Sequence, residues 1–97
     1  MTERPDSGSP APAGPGQAVL VYGTQWCAST QMVRRYLDRL QVVYQYRDME
    51  FDAEATRQVR WWAGGDASHP TVQVGGEVLV EPSLQELQEA LDRHLGT

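Results

Sequence analysis

The sequence AVLVYGTQWCAST at residues 18–30 decides the fold, because it joins an apolar strand, a loop and the start of a helix. Its first five residues form a continuous apolar run rich in strand formers, which predicts a buried central strand. The loop that follows ends at Cys27, the only cysteine of the chain. From Ala28 to Leu40, apolar residues that include Met32 recur at helical spacing, which predicts an amphipathic helix packed on the sheet.

The remaining elements follow from turn and capping signals. Residues 42–47 favour a second strand. Asp52 is typical of an N-cap and predicts a helix over residues 53–63, which two glycines end. Residues 71–80, TVQVGGEVLV, predict a β-hairpin, and Ser83 starts a capping box for the last helix. The order β-α-β-α-β-β-α predicts an α/β fold, with a mixed four-stranded sheet and three helices on its two faces.

The length of 97 residues fits a single domain. Residues 1–16 are rich in Pro, Gly, Ser and Ala and nearly free of large apolar side chains. Such a segment buries too little surface to offset the entropy of ordering it, so we expect a disordered tail. The folded domain is expected over residues 17–97.

Composition excludes several classes of function. The formal net charge of −5 argues against nucleic-acid and anionic-membrane partners, which are themselves polyanions. A single cysteine allows no internal disulfide and makes a Cys-rich metal site implausible. No apolar run is long enough to span a bilayer and no signal peptide is visible, so we expect a cytoplasmic protein. We also expect a monomer with no bound cofactor.

Cys27 stands where an open α/β sheet places its chemistry, between the end of a strand and the start of a helix. The backbone N–H groups of residues 28–30 and the helix dipole favour a thiolate, which is the nucleophile in thiol–disulfide exchange. Thr30 lies one helical turn on, where its hydroxyl can donate to the sulfur. The alternative is that Cys27 is an inert, buried small residue.

Four segments together resemble the glutaredoxin family, and most of all its mycoredoxin-like branch. They are residues 21–30 (VYGTQWCAST), 69–72 (HPTV), 75–76 (GG) and 82–83 (PS). The likeness extends over residues 18–95.

This resemblance implies a thioredoxin-like fold in which Cys27 is the nucleophile. It implies a cis bond between His69 and Pro70 that lies against Cys27, with the His69 backbone pairing with an extended thiol substrate. The adjoining Thr71 belongs to the same substrate-binding segment. The resemblance also places Gly76 and Ser83 near the carboxylates of a bound small thiol, and Trp26 is expected to form a platform beside the substrate.

The sequence departs from the family pattern at three places. Thr30 stands where dithiol members carry a second cysteine, so Cys27 has no internal resolving thiol. Thr24 replaces a lysine found in glutathione-binding members. This departure weakens the case for glutathione as the small thiol and leaves mycothiol, bacillithiol and coenzyme A as candidates. His69 brings an imidazole near the sulfur, where it either tunes the thiolate or points to solvent.

The predicted function is that of a monothiol oxidoreductase that reduces mixed disulfides between proteins and a small thiol. Two alternatives come from other classes. One is a binding module with a vestigial Cys27. The other is a dimeric iron–sulfur carrier, which ranks last because Ala28-Ser29-Thr30 lacks the Gly-Phe-Ser of the relatives that carry clusters.

Overall fold

The computed structural model describes residues 18–65, 67 and 69–96, which form a four-stranded mixed sheet and three helices. The predicted tail over residues 1–16 lies outside the described residues. In chain order the elements are β1 (Val19–Gly23), α1 (Ala28–Arg39), β2 (Gln45–Asp48), α2 (Ala53–Ala63), β3 (Thr71–Val74), β4 (Glu77–Val80) and α3 (Leu84–Leu95). The predicted α/β fold and its order of elements are confirmed.

The pairing of the strands brings four chain segments to one edge of the sheet. The strand order is β2-β1-β3-β4, with β1 parallel to β2 and antiparallel to β3, and with β4 antiparallel to β3. Near the end of β1, Tyr22 pairs with Arg47 on one side and with Thr71 on the other, and Thr71 pairs with Val80. The ends of β1, β2 and β4 therefore meet the start of β3 at this edge, which we call the upper edge.

Alternate residues of β1 point to opposite faces of the sheet and serve two separate cores. Val19 and Val21 belong to the larger core, between the sheet and helices α1 and α3. Tyr22 belongs to the smaller core under α2, where its ring meets Trp62 edge-on with centroids 5.4 Å apart. Because β1 is apolar on both faces, it reads as a continuous apolar run in the sequence.

The predicted helix boundaries on α2 and α3 are confirmed. The Asp52 side chain accepts a hydrogen bond from the backbone N–H of Ala55 at 3.0 Å, and Gly64 ends α2 in a left-handed conformation. Ser83 and Glu86 form the complete capping box of α3, each side chain bonding the other residue's backbone N–H. None of the described helices is long and apolar enough to cross a membrane.

The second strand begins later than predicted. The alternating pattern at residues 42–47 predicted its start at Val42, but β2 spans Gln45–Asp48. Pairing with β1 starts only at Gln45, opposite Leu20, and the chain before it follows a turn in which Gln41 has a φ of 59°. Val43 is 67% exposed, so the alternation there reflects a half-covered connection and not a paired strand.

The buried face of α1 also differs from the prediction. Met32 is 49% exposed and Leu40 lies beyond the helix as its C-cap. The buried side chains are Thr30, Val33 and Leu37. The helix is thus rotated so that a polar residue, Thr30, lies against the sheet at the end nearest Cys27.

Thr30 is fully buried because Gly23, at the end of β1, leaves room for it. A Cβ atom on residue 23 would lie 2.6 Å from Thr30 Cγ2, and Thr30 Cβ would be 3.0 Å away. Neither neighbour is the free end of a flexible chain. The first turn of α1 therefore depends on the absence of a side chain at residue 23.

Gly23→Ala is expected to destabilise the fold by roughly 1–3 kcal/mol, the usual cost of forcing an extra methyl group into a packed interior. Urea unfolding followed by circular dichroism measures the change in the free energy of unfolding.

Gly76→Ala is the matched control, because nothing lies within 4 Å of a Cβ at that position and its φ is not in the left-handed region. It should leave the free energy of unfolding within about 1 kcal/mol of wild type. Equal effects of the two substitutions would show that the close contact between Gly23 and Thr30 does not determine the first turn of α1.

Candidate functional site

Cys27 is the N-cap residue of α1 and lies at the upper edge of the sheet. Its backbone is extended, with φ −90° and ψ 120°, and its carbonyl accepts the first helical hydrogen bond from Gln31 N at 3.1 Å. Its side chain makes no capping hydrogen bond. The thiol is only partly buried, so the sulfur combines a position at the helix N-terminus with access from solvent.

The surroundings of the sulfur favour its ionised form. Partial burial raises the pKa of Cys27, but the Thr30 hydroxyl, the Thr30 and Ser29 amides and the His69 side chain, which are placed to stabilise a negative charge on the sulfur, lower it by more. The net effect lowers the pKa of the thiol to about 7. A substantial fraction of Cys27 is therefore thiolate at neutral pH, the form that attacks disulfides.

Two polar side-chain atoms at the site are buried without a hydrogen-bond partner in the described part of the chain. They are Thr30 Oγ1 and His69 Nδ1. An unpaired buried polar atom costs free energy, so groups of this kind call for an explanation. Both side chains lower the pKa of Cys27 and so favour the ionised sulfur, which makes the thiolate a candidate partner for them.

The segment before β3 lies beside Cys27. The His69–Pro70 peptide bond is cis, and the carbonyl oxygen of His69 is 3.9 Å from Cys27 Sγ, within reach of a long thiol hydrogen bond. Pro70 and Thr71 are buried, and the Pro70 carbonyl accepts a hydrogen bond from Glu81 N at 2.8 Å. That bond connects the segment to the end of β4, two residues before Ser83.

The structure brings together all but one of the predicted site residues. Cys27, Trp26 and Thr30 meet His69 and the residues after it at the upper edge, and Ser83 follows β4 at the same edge. The Ser83 hydroxyl already accepts a hydrogen bond from Glu86 N, as the cap of α3.

The placement expected of Gly76 is wrong. The β3–β4 turn lies at the opposite edge of the sheet, because β3 runs antiparallel to β1 and Gly75 N bonds to the Ala18 carbonyl before β1. Four residues of strand, roughly 13 Å, separate this turn from the upper edge. In the sequence, a Gly-Gly pair between two strands is first of all a hairpin turn, and that is its role here.

Trp26 directly precedes Cys27 and is 77% exposed, and its role as a platform beside the substrate stays a prediction. Its Nε1 donates a hydrogen bond to Glu50 Oε1 at 3.0 Å. Glu50 is held in turn by its own backbone N–H, which donates to Asp48 Oδ1 at 2.9 Å. Trp26 is therefore tied to the turn that follows β2.

A cavity of about 300 Å³ lies next to Trp26 and His69, the two residues that adjoin Cys27 in sequence and in space, although Cys27 itself does not line it. Its lining residues are Thr24, Trp26, Met49, Glu50, Thr56, Ala67 and His69. Sequence analysis missed Glu50 and Met49. The signal was available, because parallel strands β1 and β2 end at the same edge, so residues directly after β2 lie close to those directly after β1.

Metal ligands are not grouped at the site. Among the described residues, no three His, Cys, Asp or Glu side chains are arranged to hold a metal ion. The nearby Arg47 is engaged with Asp52, with Nη1 and Oδ2 3.5 Å apart.

Comparison with solved structures finds the same fold in other proteins. The thioredoxin-like protein BC3987 shares 29% of its sequence with this chain, at a TM-score of 0.68, over 75% of this chain and 99% of that one. A glutaredoxin from Archaeoglobus fulgidus is 21% identical at a TM-score of 0.68, over 77% of this chain and 86% of its own.

A buckwheat glutaredoxin, solved in complex with glutathione, superposes at a TM-score of 0.65 with 18% identity. It covers 81% of this chain and 76% of its own. No curated protein matches the chain. The glutaredoxin family matches it over residues 19–79. Because this match spans more than half of the 97 residues, the chain belongs to the glutaredoxin family.

Proposed function

We propose that this protein is a monothiol oxidoreductase that reduces mixed disulfides between proteins and a small thiol through Cys27. The observation that carries the proposal is the position of the sulfur, at the N-terminus of α1 and 3.9 Å from the His69 carbonyl. Membership of the glutaredoxin family supports thiol–disulfide exchange as the type of reaction.

The first half of the reaction is an exchange at the mixed disulfide. The Cys27 thiolate attacks the sulfur of the small thiol, a new disulfide forms between them, and the protein thiolate leaves and takes up a proton. The Thr30 hydroxyl and the backbone N–H groups at the start of α1 stabilise the attacking thiolate. By resemblance to the family, the backbone of His69 would pair with the extended substrate.

The second half of the reaction requires an external thiol, because the sequence contains no cysteine other than Cys27. A second molecule of small thiol, as its thiolate, attacks the small-thiol sulfur of the Cys27 disulfide. The products are the oxidised small-thiol dimer and the Cys27 thiolate. The net reaction therefore consumes one free small thiol for each mixed disulfide and releases the protein thiol and the oxidised small-thiol dimer.

The candidate small thiols are glutathione, mycothiol and bacillithiol. The buckwheat glutaredoxin was solved with glutathione, which supports a small thiol as the partner of this fold. Thr24 offers this chain no positive charge in the cavity.

The first expected result concerns the ionisation of Cys27. The rate of alkylation by iodoacetamide should rise with pH around a midpoint of about 7, below the value of about 8.5 for a free cysteine. Thr30→Val removes the hydroxyl but keeps the shape, so its midpoint should move up toward the free value.

Ser29→Ala is the control for this experiment, since Ser29 is exposed and acts on the sulfur only through its backbone amide. Its midpoint should equal that of wild type. A wild-type midpoint at or above about 8.5 would contradict an activated thiolate.

The second expected result concerns turnover. Wild type should reduce a peptide that carries a small thiol on its single cysteine, with excess small thiol as reductant, and Cys27→Ser should reduce the rate to that of the uncatalysed reaction. Liquid chromatography of the free peptide measures the rate. A low midpoint with no turnover on any of the candidate thiols would instead support a binding module.

A further inference from the structure

We propose that Glu50 and Trp26 make the cavity beside Cys27 selective for a disulfide that carries a cationic group, an ammonium or guanidinium, close to the attacked sulfur. This inference rests on the proposed function and adds the substrate class. It assigns a specificity role to a carboxylate that sequence analysis did not single out.

The charge of the cavity is the first argument. Among the described residues that line it, Glu50 is the only carboxylate and none is an arginine. The chain contains no lysine at all. Arg47, on the neighbouring strand, is 3.5 Å from the Asp52 carboxylate and so faces another partner. A carboxylate on an incoming substrate would therefore meet repulsion that no described cation relieves.

The arrangement of Glu50 is the second argument. The Trp26 indole N–H donates to Oε1, and Glu50 Oε2 makes no hydrogen bond among the described contacts, so it can accept one from a ligand. The Glu50 backbone is fixed by its hydrogen bond to the Asp48 side chain. The carboxylate is thus held at the cavity before any ligand arrives, which lowers the entropy that binding must overcome.

The exposed indole is the third argument. A cation beside a carboxylate and over an aromatic face gains both a charge interaction and a cation–π interaction. Trp26 offers such a face, 77% exposed, one residue before Cys27. A large indole exposed to this extent in a small domain is typical of a contact surface.

The proposed selectivity is measured with three thiol reagents that share one reactive group and differ in charge. Methanethiosulfonates that carry an aminoethyl, a methyl or a sulfonatoethyl group react with a thiolate to give the mixed disulfide and methanesulfinate. The neutral reagent reports whether Cys27 reacts at all. The ratio of the rates for the cationic and anionic reagents reports selectivity, and the fraction of thiolate cancels from it.

Wild type should give a cationic-to-anionic ratio at least about tenfold higher than the ratio for a free small thiol. Glu50→Gln should lower it roughly three- to tenfold, the size expected for the loss of one unit charge from a water-filled groove that the charged group of the reagent enters. Glu89→Gln is the matched control. It removes the same charge from an exposed position on α3, away from the cavity, and should leave the ratio unchanged.

A normal rate with the neutral reagent and an unchanged ratio in Glu50→Gln would overturn this inference while leaving the proposed function intact. Equal effects of Glu50→Gln and Glu89→Gln would also overturn it, since the selectivity would then come from the net charge of −5. Failure of all three reagents at neutral pH would instead contradict the proposed function itself.

The cation can come from the small thiol or from the protein half of the mixed disulfide. Two substrates distinguish these sources: an aminoethyl thiol on a neutral peptide, and a hydroxyethyl thiol on a peptide with lysine beside its cysteine. The substrate whose turnover falls in Glu50→Gln and not in Glu89→Gln identifies the source. If turnover of neither substrate falls, the inference fails for the catalysed reaction.

Discussion

The contact between Thr30 and Gly23 is the constraint on which the site depends. A buried hydroxyl-bearing side chain at the third position of α1 fits against the sheet only because β1 ends in a residue without a Cβ. This packing fixes the rotation of the first helical turn. The rotation in turn sets where the amides of residues 28–30 point, and so where a negative charge on Cys27 is stabilised.

This contact also links stability to chemistry. Thr30 Oγ1 and His69 Nδ1 are buried and lack conventional partners in the part of the chain that the structure describes. Each such group lowers the free energy of unfolding by a share of its desolvation cost. A valine at residue 30 would pack as well without that cost. The presence of a threonine and not a valine at residue 30 is explained if these polar atoms stabilise the Cys27 thiolate.

Most of the fold could be predicted from the sequence because local signals agreed with the global arrangement. Asp52, Ser83 and the glycines at helix ends act within one or two turns of their own positions, so their effects are readable in a single sequence. The start of β2 was misplaced because strand pairing is decided by the partner, and residues 42–44 carry strand-like side chains with no strand beside them.

The part of the site that could be predicted is the part whose residues are close together in the sequence. Cys27 and Thr30 follow from helix geometry alone. Gly76 was misplaced because a glycine pair serves hairpin turns and ligand-binding loops alike, and only the antiparallel register of β3 decides between them. Glu50 was missed because no local pattern distinguishes it from other surface carboxylates. Its significance comes from the hydrogen bond to Trp26, which joins positions 24 residues apart.

The opposite edge of the sheet shows what a purely structural cluster looks like in this fold. There, the Glu77 carboxylate on β4 contacts two side chains from the end of α3, with Arg93 Nη2 at 2.8 Å and His94 Nε2 at 3.0 Å. The His94 ring also packs against the backbone of Gly75. The charged groups of that cluster are matched to one another. At the upper edge, three buried polar atoms have no hydrogen-bond partner among the described residues: Thr30 Oγ1, Arg47 Nε and His69 Nδ1. This difference favours the upper edge as the one arranged for a ligand.

The source of thiolate stabilisation has a consequence for specificity. Hydrogen bonds from Thr30, His69 and the amide of Ser29 lower the pKa of Cys27, with no lysine or arginine among the leading causes. Dipoles act over a few ångströms, whereas a formal charge acts across the whole cavity. A nearby lysine would have activated the sulfur and attracted anionic substrates at once. Because hydrogen-bonding dipoles activate Cys27, its ionisation does not require a positive charge in the cavity. The cavity can therefore carry the negative charge of Glu50 while Cys27 stays ionised.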